Sequence, residues 1–107
     1  MIPENISKEI DSISKQIIEK YKPQKIILFG SAATDSFSKD SDLDFLIVKK
    51  DTPYLGRDRA RELRKLITKK MPADFLVYQP DELKKREELG DPFIQSILKQ
   101  GKVIYSE

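Results

Sequence analysis

A small α/β fold, with a mixed β-sheet packed against helices, is what this sequence predicts. Three observations lead there. Ile6, Ile10, Ile13, Ile17 and Tyr21 recur at helical spacing near the start of the chain. Three short apolar runs, within Lys25–Phe29, Asp42–Val48 and Asp74–Tyr78, have the length and β-branched or aromatic content of strands. Between the second and third run lies a charged segment whose apolar residues return every three or four positions.

Each element has its own local reason. In the first helix Lys8, Glu9, Lys15 and Glu19 separate the isoleucines, Pro3 is tolerated at the start and Pro23 ends it. Strand one, Lys25–Phe29, runs into Gly30 to Ser41, a stretch of Ser, Thr, Asp and Ala that reads as a turn or short helical loop. Strand two, Asp42–Val48, is broken by Asp51-Thr52-Pro53. Arg57–Met71 is the second long helix, with Ala60, Leu63, Ile67 and Met71 on its apolar stripe and Pro72 behind it. In strand three, Phe75 and Val77 share one face, and Asp74, Leu76 and Tyr78 share the other. Pro80 and Asp81 start a charged helix that weakens at Gly90, and Pro92–Lys99 follows as a further helix. After Gly101, Val103–Tyr105 is a short closing edge strand. The order reads α-β-β-α-β-α-β.

With 107 residues the chain is long enough for one hydrophobic core and is read as a single domain, 1–107. Apolar residues make up 38% and charged residues 36%, so the core is modest and the surface heavily solvated. A net charge of +2 gives no argument for nucleic acid. There is no cysteine, which excludes a disulfide framework and suits a cytoplasmic location. There is no histidine either, which excludes a Ser-His-Asp triad and a conventional zinc site within the chain. The polar first fifteen residues do not resemble a secretory signal, and no apolar run approaches a membrane span.

The chemistry concentrates in Gly30-Ser31, ten residues, then Asp42-Leu43-Asp44. Carboxylates at i and i+2 of a strand point the same way, about 6.5 Å apart at Cα. Such a pair can hold hard divalent cations against phosphate oxygens, and the Gly-Ser turn can bring backbone N–H groups to the same phosphates. An acidic pair alone is weak evidence, since acidic residues often decorate turns. Asp74 strengthens it. It also opens an apolar strand, where a buried unpaired carboxylate is costly, and it shares a face with Asp42 and Asp44 if strands two and three are neighbours. Three carboxylates that close repel one another unless cations neutralise them. Asp42 and Asp44 are then the bridging ligands, with Asp74 serving mainly a second ion and accepting the attacking hydroxyl's proton.

Gly30-Ser31-x10-Asp42-x-Asp44 with the later Asp74 resembles the minimal nucleotidyltransferase family of the DNA polymerase beta-like superfamily. The resemblance extends from the leading helix to Gly101-Lys102-Val103-Ile104-Tyr105. It implies the polymerase beta-like nucleotidyltransferase fold and transfer of AMP from ATP to a hydroxyl acceptor, with Mg²⁺ (two ions) held by Asp42, Asp44 and Asp74. It also implies kinship with antitoxins that adenylylate a tyrosine of a HEPN-type toxin partner. The loop departs from the family pattern, with Ala32, Ala33 and Thr34 where a basic or aromatic residue and a glycine are usual. Lys39 is the candidate substitute for phosphate binding, beside Gly30 and Ser31. Two alternatives follow: a binding module that neutralises a toxin by occlusion, and a transferase acting on a small molecule.

Other features have plainer readings. The basic run Arg57, Arg59, Arg61, Arg64, Lys65, Lys69 and Lys70 reads as a solvated helix face, as does the charge cluster Glu82–Glu88. Ser31 reads either as a phosphate donor or as a helix N-cap. Tyr54, Tyr78 and Tyr105 read as core or edge packing rather than base-stacking platforms.

Overall fold

The computed structural model describes residues 2–34, 36–38 and 40–107. Helix α1 (Glu4–Tyr21) leads into β1 (Lys25–Phe29), a single 3₁₀ turn (Gly30–Ala33) and β2 (Leu43–Val48). Then come α2 (Gly56–Leu66), β3 (Ala73–Tyr78), α3 (Pro80–Glu88), α4 (Pro92–Gln100) and β4 (Lys102–Ser106). Two helices therefore lie between β3 and β4, the ones expected from Pro80 and from Pro92, although the order α-β-β-α-β-α-β writes them as one α. No helix is long and apolar enough to cross a membrane among the described residues.

The four strands form one sheet in the order β3-β2-β1-β4. β1 runs antiparallel to both β2 and β4, and β2 runs parallel to β3. A parallel neighbour needs a crossover, and α2 supplies it. The first side-chain set of the sheet, Ile26, Leu28, Leu43, Phe45, Ile47, Phe75 and Val77, packs with Ile10, Ile13, Ile17 and Tyr21 of α1 and Leu63 of α2. Phe45 and Phe75 stack there at 5.7 Å. The opposite set, Ile27, Leu46 and Val48, packs with Ile94 and Ile97 of α4. Helices thus cover both faces, and the alternating strand pattern divides the apolar side chains between them.

Helix ends follow local chemistry. α1 stops at Lys22, which turns left-handed (φ 54°) with its N–H on the Ile17 carbonyl, just before Pro23. α3 has Pro80 at its first turn and a reciprocal Gln79–Glu82 capping box. Asp91 caps α4 by accepting the N–H groups of Phe93 and Ile94 at 2.9 and 3.3 Å.

α2 differs from the expected Arg57–Met71: it ends at Leu66. Ile67 is already extended, and the Gln16 side chain on α1 bonds both the N–H and the carbonyl of Thr68, each at 2.8 Å. The buried Glu9 carboxylate also takes the Lys70 N–H. These backbone groups are satisfied by α1 instead of by another helical turn, while Ile67 and Met71 still pack on the core.

Candidate active site

The register fixes where the motif residues fall. Phe29, the last residue of β1, pairs with Asp44, and Asp44 pairs with Asp74 across the parallel ladder. Directly opposed residues point to the same face, so Phe29, Asp44 and Asp74 form one row. Asp42 precedes β2 by one residue and Gly30 follows β1 directly. The carboxyl end of β1 and the amino ends of β2 and β3 therefore meet at one end of the sheet.

Gly30 and Asp44 are in intimate contact. A Cβ on Gly30 would overlap the Asp44 Oδ2, and its Cγ would lie 3.3 Å away. Gly30 also adopts a left-handed conformation, φ +72°. Both facts require glycine at this point.

Burial pushes the half-buried Asp44 carboxyl upward, and the charges of Asp74 and then Asp42 add to the shift. The repulsion expected among the three carboxylates is thus present at Asp44. Asp42 and Asp74 are exposed. The sequence argument that Asp74 would bear a burial cost is corrected by this: Asp44 carries that cost, and Asp74 is solvated. Among the described residues, no three acidic, histidine or cysteine side chains are gathered closely enough to enclose an ion. The aspartates form an open edge instead. Hard carboxylate oxygens on such an edge suit a cation that keeps water and phosphate ligands rather than one caged by protein.

The loop beside them is held by its own small polar residues. Thr34 Oγ1 and Ser36 Oγ share a hydrogen bond of 2.7 Å, and Ser41 Oγ accepts the Ser38 N–H at 3.0 Å. Ser31 lies inside the 3₁₀ turn, not at its N-cap. The N-cap is Phe29, with no side-chain cap, and Ser31 offers its carbonyl to Thr34. Ala32 and Ala33 are buried against the α1 side of the sheet. Lys39, the candidate substitute for phosphate binding, lies outside the described residues.

Three expectations about charged and aromatic residues are revised. Arg59 is not part of a solvated face; it is 3% exposed. Its guanidinium donates to the carbonyls of Pro53, Tyr54 (2.8 Å) and Val77 (3.2 Å) and to Glu82 (2.5 Å). Burial alone would raise the Glu82 carboxyl, but bonds from Arg59 and the Gln79 N–H hold it below the usual range. Glu82 is accordingly a structural anchor, not a free helix charge. Tyr78 and Tyr105 pack against the two core clusters as expected, whereas Tyr54 is 89% exposed.

A groove of about 370 Å³ opens beside Gly30, between the Phe29–Ser36 segment and the Phe93, Ser96 and Gln100 side of α4. Sequence reading missed these α4 residues as site candidates. Their i, i+3, i+7 spacing on one helical face was the available signal.

Comparison with known proteins agrees with this architecture. A protein from Sulfolobus solfataricus, provisionally assigned as a nucleotidyltransferase, superposes with a TM-score of 0.65 at 21% identity, over 100% of this chain and 91% of that one. A toxin-antitoxin structure with AMP-PNP superposes with a TM-score of 0.60 at 22% identity, over 91% of this chain and 73% of that one. At these identities the likeness speaks for the fold. No curated protein matches the chain. The family model described as "Polymerase beta, Nucleotidyltransferase" matches residues 12–107, and with that the chain belongs to this family, its small mixed sheet and flanking helices being the polymerase beta-like nucleotidyltransferase fold.

Proposed function

We propose that the protein transfers AMP from ATP to a hydroxyl of a partner protein, a tyrosine of a HEPN-type toxin, in the manner of an antitoxin. The observation that carries the reading is the Asp44–Asp74 pairing across β2 and β3, with Gly30 closed onto Asp44. The toxin-antitoxin neighbour supports a protein acceptor.

In this reading Asp42, Asp44 and Asp74 hold Mg²⁺, which when bound supplies charge neutralisation at the phosphates. The Gly30-Ser31 turn approaches the β- and γ-phosphates, close backbone contact being possible because Gly30 has no Cβ. Asp74, solvated and at the outer strand, accepts the proton of the acceptor hydroxyl. The acceptor oxygen forms a bond to the α-phosphorus while the bond from that phosphorus to the bridging oxygen breaks, and pyrophosphate leaves with the bond's electron pair. Burial and the neighbouring charges make Asp44 the carboxylate with most to gain from a cation.

The test is mass spectrometry of a toxin-type partner encoded beside this chain, after incubation with ATP and Mg²⁺. A gain of one AMP, lost in Asp44→Asn, is expected; an unmodified partner with active wild-type ATP binding refutes catalysis. One observation favours a second reading, a domain that binds nucleotide and occludes the toxin without transfer. The Gly-Ser segment opens a single 3₁₀ turn, whose N-terminus offers phosphate less than a full α-helix does. Neutralisation of the toxin by Asp44→Asn as well as by wild type identifies that case.

A further inference from the structure

We propose that the groove between the Gly30 loop and α4 is the nucleobase subsite, with Phe93 as its stacking platform and Gln100 as its hydrogen-bonding group. The inference rests on the reading of the aspartate edge as a nucleotide site. Position comes first. Phe29 lines the groove and is the cross-strand partner of Asp44, so the cavity begins one strand spacing from the central carboxylate. Gly30, at the same wall, is the residue closed onto Asp44. A nucleotide whose α-phosphate sits at the aspartates has its nucleoside within reach of this opening.

Lining chemistry decides between the parts of the nucleotide. The groove walls carry hydroxyls from Thr34, Ser36 and Ser96, the Gln100 amide and two aromatic rings, and no charged side chain among the described residues. A triphosphate tail needs cations, and the described side chains of these walls supply none. An uncharged planar heterocycle suits them. Phe93 is 51% exposed, and its ring and that of Phe29 make a T-shaped contact at 6.0 Å and 87°. That contact braces the ring, and the half of its surface that stays exposed is available to stack on a base. An amide at Gln100 can both donate and accept, which matches the adjacent donor and acceptor of an adenine edge. About 370 Å³ accommodates a base with its ribose, not a folded segment of a partner.

In-line geometry argues against the acceptor as occupant. The attacking hydroxyl must approach opposite the leaving pyrophosphate. With pyrophosphate at Gly30-Ser31, the acceptor enters from the Asp74 side, away from α4.

The test is titration calorimetry with Mg-ATP and with Mg-tripolyphosphate, on wild type, Phe93→Ala and Gln100→Ala. Both positions are exposed, so neither substitution threatens the core. Wild type should bind ATP about tenfold more tightly than tripolyphosphate, within what one stacked base supplies. Phe93→Ala should lose most of that advantage with tripolyphosphate affinity unchanged, and Gln100→Ala should lose part of it. ATP binding equal to wild type in both variants, with tripolyphosphate still bound, overturns the base subsite and leaves the phosphate site standing. Failure of wild type to bind either ligand overturns both. If Phe93→Ala leaves ATP affinity intact and slows transfer to a protein acceptor, the groove belongs to the acceptor and the proposal fails.

Discussion

Replacing Gly30 by alanine separates the geometry of the site from the stability of the fold. The added Cβ meets two costs. At φ +72° an L-residue pays about 1–2 kcal/mol relative to glycine. The Cβ also claims the position of Asp44 Oδ2, so either the carboxylate rotates away or the turn shifts. Because the conflicting atom is the end of a side chain, the fold absorbs the clash by moving Asp44, and stability should fall only by about 1–2 kcal/mol. Activity should suffer far more. A misplacement of about 1 Å at a reacting centre can cost roughly 10²-fold in rate, and Asp44 is the central member of the row. Urea denaturation and pyrophosphate release, measured side by side, check both numbers. Gly56→Ala is the control: a Cβ there meets nothing within 4 Å. Wild-type transfer by Gly30→Ala would refute the claim that Asp44 works from where Gly30 lets it sit.

Three other outcomes follow from the same geometry. Arg59→Met should cost about 3 kcal/mol in denaturant unfolding, the low end for breaking a buried pair, because the Glu82 side chain remains 42% exposed. Since Glu82 is held below its unfolded value, its contribution is present above about pH 4.3 and lost as pH falls through the lower folded value, so the gap between Arg59→Met and wild type should narrow in acid. Asp44→Asn should raise the thermal midpoint at pH 7 without divalent cations. A carboxyl raised in the folded state stabilises below its unfolded pKa, near about 3.9, and loses that contribution as pH rises through the folded value, so the gain should vanish in acid and Mg²⁺ should stabilise wild type alone. Gly101→Ala, whose Cβ would lie 2.7 Å from Ile27 Cγ2 and 3.1 Å from the Leu28 carbonyl, should cost about 1–3 kcal/mol by overpacking; an unchanged midpoint would contradict the tight seating of α4 and β4 on β1.

What was legible in the sequence is what depends on neighbours along the chain. The alternation in Phe75 and Val77 against Asp74 and Leu76, the stop at Pro23 and the start at Pro92 are local, and the structure keeps them. The end of α2 was not legible, because Ile67 and Met71 continue the helical spacing while Gln16 and Glu9, more than fifty residues away, bind the backbone out of the helix. Arg59 was misread for a similar reason. In a run of basic residues nothing local distinguishes the one whose acceptors, Val77 and Glu82, lie in other elements. For the candidate site, the nearness of Asp42 to Asp44 was legible from their spacing, although Asp42 precedes the strand that periodicity assigned it to, and the addition of Asp74 depended on a pairing that only the sheet order reveals.

That pairing links the buried arginine to the aspartate edge. β2 and β3 are parallel, so a slip of one residue in their register would turn Asp74 to the α1 face and leave Asp44 without its neighbour. The register is held at both ends. Near the aspartates the Leu43 N–H bonds the Pro72 carbonyl at 3.1 Å; at the other end the Lys49 N–H bonds the Tyr78 carbonyl at 2.9 Å. Arg59 reaches the Val77 carbonyl on the same strand end and ties it to the 53–54 loop and to α3 through Glu82. α2, which carries Arg59, is also the crossover that makes the parallel pairing possible. The arginine braces the far end of β3, the strand whose ladder with β2 sets the face on which Asp74 emerges. Its bonds are structural, made at the end of the sheet opposite the aspartates.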